Sequence, residues 1–284
     1  MSRIANTLPL LAMAVILAVC GWIVAGAAGM AGVLLGVLAL VLIAPQVPPE
    51  LAMRIGHATP LSPWQAPAPF HDIAQLSQRF GLDSPPMLYA VKSEAPVVFS
   101  TGNRRHSAVA VSAAAYSILS ERELRAVLAH EIAHIAADDI GLMRVADILG
   151  RITSFVATFG LLTILFGGLM LPQGAMSAGV VWFLALAPTS ATLLQLALMR
   201  RREYAADETS VRINHDPVAL AYALQKIERA SRWTLKRMFG DAGGFEMPTL
   251  LRTHPQTKDR IERLMSLSGA GVVPRRSSES GGRT

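Results

Sequence analysis

Two histidines and a glutamate stand together in His130-Glu131-Ile132-Ala133-His134. On an α-helix, residues four apart lie on one face a turn above each other, so both imidazoles can reach a single metal ion. Glu131 is rotated by about 100° from His130, close enough to hold and deprotonate a water bound by that ion. Zinc suits such a site, because it lowers the pKa of its water to about 7 and polarises a peptide carbonyl. Two surface histidines on one helix face would give the same pattern, so the reading turns on a third ligand. A catalytic zinc held by two histidines takes one more protein ligand and keeps a position open. Glu203, in Arg202-Glu203-Tyr204-Ala205-Ala206-Asp207, is the candidate. By spacing alone, Glu203 could equally pair with the neighbouring arginines. Asp207 falls one turn further on and could accept the outer N–H of a bound imidazole, that of His130 in the first instance. His254, ahead of Pro255, could donate to the oxyanion of a transition state or merely precede a helix. Arg260 could pair with Glu203 or Asp207, or face solvent. His57, His71, His106 and His215 have no partner pattern and read as surface residues.

These residues need rigid elements to hold them. Ser120-Glu121-Arg122-Glu123 fits a capping box, and Leu124, Val127, Leu128 and Ile132 follow at helical spacing, so the histidines sit on a well-started helix. Upstream, residues 47–68 are rich in proline and read as an ordered linker, and His71–Phe80 as an amphipathic helix ended by Gly81. Three β-like runs follow: Met87–Val91, Val97–Thr101 and Ser107–Ser112, the last alternating like a half-buried strand. Downstream, Arg200–Val211 is predicted helical. Asp216 and Pro217 open a helix to about Phe239, Gly240–Gly244 is a loop, and Pro255–Leu267 is a last helix. The Gly-, Ser- and Arg-rich residues from Gly269 onward are expected to be disordered.

The chain has 284 residues, 52% hydrophobic and 16% charged, against roughly 25% charged in soluble domains. Residues 4–49 and 152–199 carry no charge at all. A membrane helix needs about 20 apolar residues, so each stretch accommodates two crossings. Gly26, Gly29 and Gly32 mark the turn in the first, and Pro172, Gly174 and Gly179 that in the second. Pro188 is expected to kink the last span. All 26 Lys and Arg lie outside these stretches, which places the termini and the middle segment on the cytoplasmic side. The net charge of +6 then fits attraction to anionic headgroups, and no basic patch with interleaved aromatics points to nucleic acid. No small-x-small cleavage site followed by polar sequence is read, and Leu17-Ala18-Val19-Cys20 departs from a lipoprotein cleavage site because Val19 is large where a small residue is expected. Cys20, the single cysteine, reads as a buried apolar side chain and permits no internal disulfide.

The His-Glu-x-x-His helix, a membrane hairpin and then Arg-Arg-Glu-Tyr-Ala-Ala-Asp together resemble the HtpX family of bacterial membrane proteases, relatives of the CAAX prenyl endoprotease. Supporting stretches are Phe99–Gly102 (FSTG), Ser107–Ser112 (SAVAVS), Val127–His134 and Thr253–Ile261. The resemblance runs over roughly residues 1–267. It implies one zinc ion on His130, His134 and Glu203, with Glu131 catalytic and Asp207 behind the ligands, and it favours a functional role for His254. It also implies a cytoplasmic catalytic domain that degrades misfolded or unfolded membrane proteins at the bacterial inner membrane. Relatives often carry Asn-Ala where this chain has Val97-Val98, a departure that bears on peptide selection if that strand borders the cleft.

The expected architecture is a mainly α membrane protein with four transmembrane helices and a cytoplasmic α+β zincin-like (gluzincin) catalytic domain holding a small sheet. Residues 1–46 and 152–199 are the two hairpins, 47–151 and 200–268 the two parts of the catalytic domain, and 269–284 a tail. Two other readings are weaker. An intramembrane protease would embed its motif in an apolar span, yet Glu121, Glu123, Asp138 and Asp139 flank this one. A structural zinc site commonly uses cysteine, and Cys20 lies in a span.

Overall fold

The computed structural model describes residues 3–167, 177–239 and 257–269. The chain is mostly helical, with one small sheet. Among the described residues, three helices are long and apolar enough to cross a membrane: α1 (Arg3–Ile43), α6 (Asp139–Gly167) and α7 (Ala178–Asn214). They pack on one another through Met13, Leu17, Ala146, Leu149, Ala191 and Leu198, and present large apolar side chains outward. Helix α1 is broken at Ala25 and Gly26, where Gly26 takes φ +61 and ψ −149. Beyond the break the chain folds back. A Cβ on Gly29 would meet the Gly21 carbonyl oxygen at 2.2 Å, although eight residues of straight helix would separate the two by about 12 Å. The predicted turn therefore lies at Ala25–Gly26, Gly29 provides the close approach, and Gly32 is open. In the second apolar stretch the turn at Pro172 and Gly174 lies outside the described residues, and Gly179 is already inside α7. The helix runs through Pro188 unbroken, with the Thr192 hydroxyl donating to the Pro188 carbonyl at 2.9 Å.

The proline-rich segment is more structured than a linker. It forms helix α2 (Pro49–Ile55), started by proline at its first turn, and strand β1 (Ala58–Pro60). Helix α3 (Pro67–Phe80) ends at Gly81 in the left-handed conformation, as its glycine predicts. Strands β2 (Met87–Val91), β3 (Val98–Gly102) and β4 (Ser107–Ser112) fall where the β-like runs place them. The sheet order is β1-β2-β4-β3, with β2 parallel to β4 and the other two pairings antiparallel. Strand β4 is not half-buried; all six of its residues are buried. Val109 and Val111 join the core shared with Leu128 and Ile132, whereas Ala108 and Ala110 pack with Met53 of α2 and Tyr89. The small alanines read as a solvent face because the helix that covers them was hidden among prolines.

A short helix α4 (Ala113–Ile118) leads to α5 (Glu121–Ala136), whose capping box at Ser120 and Glu123 is formed. Leu128, Ile132 and Ile135 of α5 are fully buried, each stabilising the fold by about 1.5–3 kcal/mol. Helix α8 (Pro217–Phe239) is capped by Asp216, which accepts from the Ala219 N–H at 3.0 Å, and α9 (Thr257–Leu267) completes the core through Leu264. Arg125 ties α5 to its neighbours through Asp72, Gln75 and Asn214.

Candidate metal centre

Helix α5 delivers His130 and His134 one turn apart, and α7, emerging from the apolar bundle, delivers Glu203 and Asp207 one turn apart. The four side chains meet in the interior, each no more than 3% exposed. The Nε2 atoms of the two histidines are 3.2 Å apart. Glu203 Oε2 lies 3.4 Å from His130 Nε2, and its Oε1 3.5 Å from His134 Nε2. Zinc–ligand bonds of about 2.05 Å at tetrahedral angles put ligand atoms about 3.3 Å apart. The three observed edges match that triangle. His130, His134 and Glu203 are the group of potential ligands found among the described residues.

Charge bookkeeping fits a divalent cation as well. Glu131, Asp139, Glu203 and Asp207 are four buried carboxylates, and they face two guanidiniums, Arg260 and Arg202. Two negative charges are left over in a region where unbalanced charge is costly. Burial works against charging the imidazoles, yet Asp207 and Glu203 raise the pKa of His130 above its ordinary value, and Glu203 and Glu131 do so for His134. The field that draws protons onto both rings is the field that would hold a cation.

The residues behind the ligands are equally ordered. His130 Nδ1 lies 2.9 Å from Asp207 Oδ1, which fixes the tautomer whose Nε2 lone pair faces the centre. Asp207 is gripped by Arg260 of α9, whose Nε and Nη2 donate at 2.8 and 2.7 Å, while Nη1 reaches Glu203 Oε2 at 2.8 Å. Arg260 is 1% exposed. Burial opposes its charge, but Glu203 and Asp207 outweigh that and raise its pKa further. Of the alternatives the spacing left for Glu203 and Arg260, the structure thus realises both the approach to the imidazoles and the pairing with arginine. His254 lies outside the described residues, and His57, His71, His106 and His215 are exposed.

Residues 69–268 match Peptidase family M48. The chain belongs to peptidase family M48. A protease HtpX homolog of Trichormus variabilis is 33% identical over 278 residues, covering 92% of this chain and 96% of that relative. Another from Ralstonia nicotianae is 34% identical over 271 residues, covering 90% and 93%. The crystal structure of S. mikatae Ste24p aligns with 18% identity and a TM-score of 0.42, covering 92% of this chain and 65% of Ste24p. The family match and the apolar helices make this M48 member a membrane metalloprotease.

Around the M48 site, the roles of two side chains escaped the sequence reading. Ser100 of β3 donates to Glu131 Oε2 at 2.7 Å and so pins the carboxylate next to the histidines. Asp139, the first residue of α6, places Oδ2 3.6 Å from His134 Nδ1 and pairs with Arg202. Nothing in their local patterns marks them; Ser100 lies 31 positions from its partner. The contact also puts β3, the strand that begins just after Val97, against the site and at an edge of the sheet.

Proposed function

We propose that the chain is a zinc-dependent endopeptidase of the bacterial cytoplasmic membrane that cleaves cytosol-exposed segments of misfolded or unfolded membrane proteins. The observation that carries this reading is the buried triangle of His130 Nε2, His134 Nε2 and Glu203, with the Glu131 carboxylate held beside it. Zinc bound there supplies a Lewis acid for the substrate carbonyl and an acidified water. Glu131 takes the proton of the attacking water and returns it to the leaving amine. Ser100 keeps that carboxylate beside the histidines. Asp207 holds His130 in one tautomer, and Arg260 holds Asp207. An extended peptide adds to the edge strand β3 by backbone pairing, and the partly exposed Val97 just before it contributes to side-chain selection, while Val98 is packed into the core. His254 is proposed as a donor to the oxyanion; His254→Ala then lowers kcat with metal content unchanged.

The proposed topology has four crossings, α1 supplying two through its break at Gly26, with both termini and the site cytoplasmic. The absence of Lys and Arg from both apolar stretches supports this placement. Cysteines placed at 26 and 175 of a Cys20→Ala variant should react with an impermeant thiol reagent from the periplasmic side only. Labelling from the cytoplasm overturns the topology.

The activity is tested with Glu131→Gln in purified, zinc-loaded protein acting on casein, a flexible substrate. Loss of a general base costs about 10²–10⁴-fold in rate, and zinc content should remain at one per chain. Cleavage by the variant at the parent's rate overturns the mechanism. Glu203→Ala should lower zinc stoichiometry, and unchanged stoichiometry removes Glu203 from the ligand set.

A further inference from the structure

The line Arg260–Asp207–His130 has a counterpart on the other side of the site. Asp139 is 1% exposed. One of its oxygens, Oδ2, lies 3.6 Å from His134 Nδ1, and the other pairs with the Arg202 guanidinium, whose side chain is 13% exposed. The backbone explains how it gets there. Helix α5 ends at Ala136, Asp138 takes φ +54, and the chain turns so that the first residue of α6 faces back over the last turn of α5. An aspartate that merely starts a helix needs no burial, and burying a carboxylate is costly unless it is paired. Arg202 itself immediately precedes Glu203 on α7.

We infer that Asp139 is the positioning residue for His134, accepting its Nδ1–H and so aiming its Nε2 lone pair at the centre, and that Arg202 holds Asp139 in place. Each of the two imidazoles then has its own carboxylate, and each carboxylate its own arginine. The two lines are unequal. His130 and Asp207 are at hydrogen-bond distance, whereas His134 and Asp139 stand about half an ångström beyond it. The second line also joins the foot of α6 to the foot of α7, so a shift between these two apolar helices changes the hold on His134.

This inference rests on the metal centre described above, and the experiment separates the two. The full chain is purified in detergent, stripped of metal and titrated with zinc against a chelating indicator; the cobalt-loaded form is examined by visible absorption. Asp139→Ala is expected to weaken zinc binding about 10- to 100-fold and to shift the cobalt bands. Asp139→Asn, which keeps an acceptor oxygen but no charge, should recover most of the affinity. A folded Asp139→Ala protein that loses less than about tenfold in zinc affinity overturns the inference, since that is the least a lost orienting partner should cost; so does Asp139→Asn binding no better than Asp139→Ala. If Asp139→Ala does not fold, Arg202→Gln decides: a smaller loss of affinity with shifted cobalt bands supports the relay, and unchanged affinity and bands overturn it. His130→Ala and Glu203→Ala are run alongside. If they too retain the parent's affinity, the metal centre itself is misassigned; if they lose zinc while Asp139→Ala does not, only the present inference fails.

Discussion

The apolar helices and the body around α5 solve opposite solvation problems. In α1, α6 and α7 large side chains such as Leu35, Phe155 and Trp182 point outward, each at least 67% exposed, while alanines (Ala146, Ala157, Ala191) share the contacts with Met13, Leu17, Leu149 and Leu198. In the body the large apolar residues turn inward, and the interior also takes in Glu131, His130, His134, Glu203, Asp207 and Arg260. The first arrangement suits a solvent with no hydrogen bonds to offer. The second tolerates buried charge because Arg260 and Arg202 reach Glu203, Asp207 and Asp139 and the Ser100 hydroxyl reaches Glu131, with the remaining negative charge left for a cation. One helix belongs to both: α7 begins with apolar residues facing outward and ends with two buried acids at the site.

Replacing Arg260 with Met should break the body's side of this contrast most severely. Glu203 and Asp207 lose their shared guanidinium, and stripping one partner from a buried ion pair costs about 3–5 kcal/mol. In the metal-free protein the apparent Tm should fall by roughly 10 °C. Zinc should restore part of that loss, since a cation supplies some of the missing positive charge. An identical decrease with and without zinc would contradict the charge balance assigned to the site.

Equal truncations in the two regions should have unequal effects. Leu128→Ala removes a side chain that is 0% exposed in the body, and Leu162→Ala one that is 47% exposed on α6. The former should cost about 2–5 kcal/mol and the latter under about 1 kcal/mol, because only the former leaves a cavity. Denaturation followed in the same detergent checks both. Similar losses would mean that Leu162 is covered by something other than lipid or detergent.

The contrast was legible in the sequence to different depths. The capping box and the i, i+4 histidines are local signals and lie on the expected helix, while the charge-free stretches give three long apolar helices among the described residues. The structure also brings Glu203 and Asp207 to the histidines, though by spacing an arginine partner for Glu203 is equally open. The contacts of Ser100 and Asp139 were not legible, because strand register and a left-handed turn at Asp138 create them, not any periodicity. Arg260 sits in a short helix rich in charge, where spacing leaves both pairing with Glu203 or Asp207 and a solvent-facing position open until α7 is in place. The alanines of β4 misled for a related reason: small residues look the same on a wet face and under a tightly packed helix.

Close packing offers a smaller effect, confined to the apolar region. A methyl group at Gly29 would run into the backbone of Gly21, whereas one at Gly36 meets nothing within 4 Å. Gly29→Ala should therefore destabilise by about 1–3 kcal/mol, as overpacking does. Gly36→Ala should be neutral or slightly favourable, because alanine is the better helix former. Thermal unfolding of the two variants, with activity on casein as control, makes the comparison. If both are neutral, the two arms of α1 are not pressed together at Gly29.

The smallest expected effect concerns pH, and it too separates the regions. Burial disfavours the charge on Glu123, but hydrogen bonds from Lys226 at 2.7 Å and from the Ser120 N–H and hydroxyl outweigh it and hold the carboxyl below its usual range. A carboxyl whose pKa is lower in the folded state stabilises above the ordinary carboxylate pKa, and that contribution drains away as pH falls through the lowered value. Lys226 is nearly half exposed, so solvent screening limits the pair to about 0.5 kcal/mol. Glu123→Gln should thus lower the urea midpoint slightly at pH 7 and leave it unchanged at pH 3. Residues 8–43 of α1 carry no carboxyl or imidazole that titrates between pH 3 and 7. Limited pepsin digestion at pH 3 should therefore open α5 and α8 before residues 8–43, and earlier cleavage within α1 would place the acid-labile element on the wrong side of the comparison.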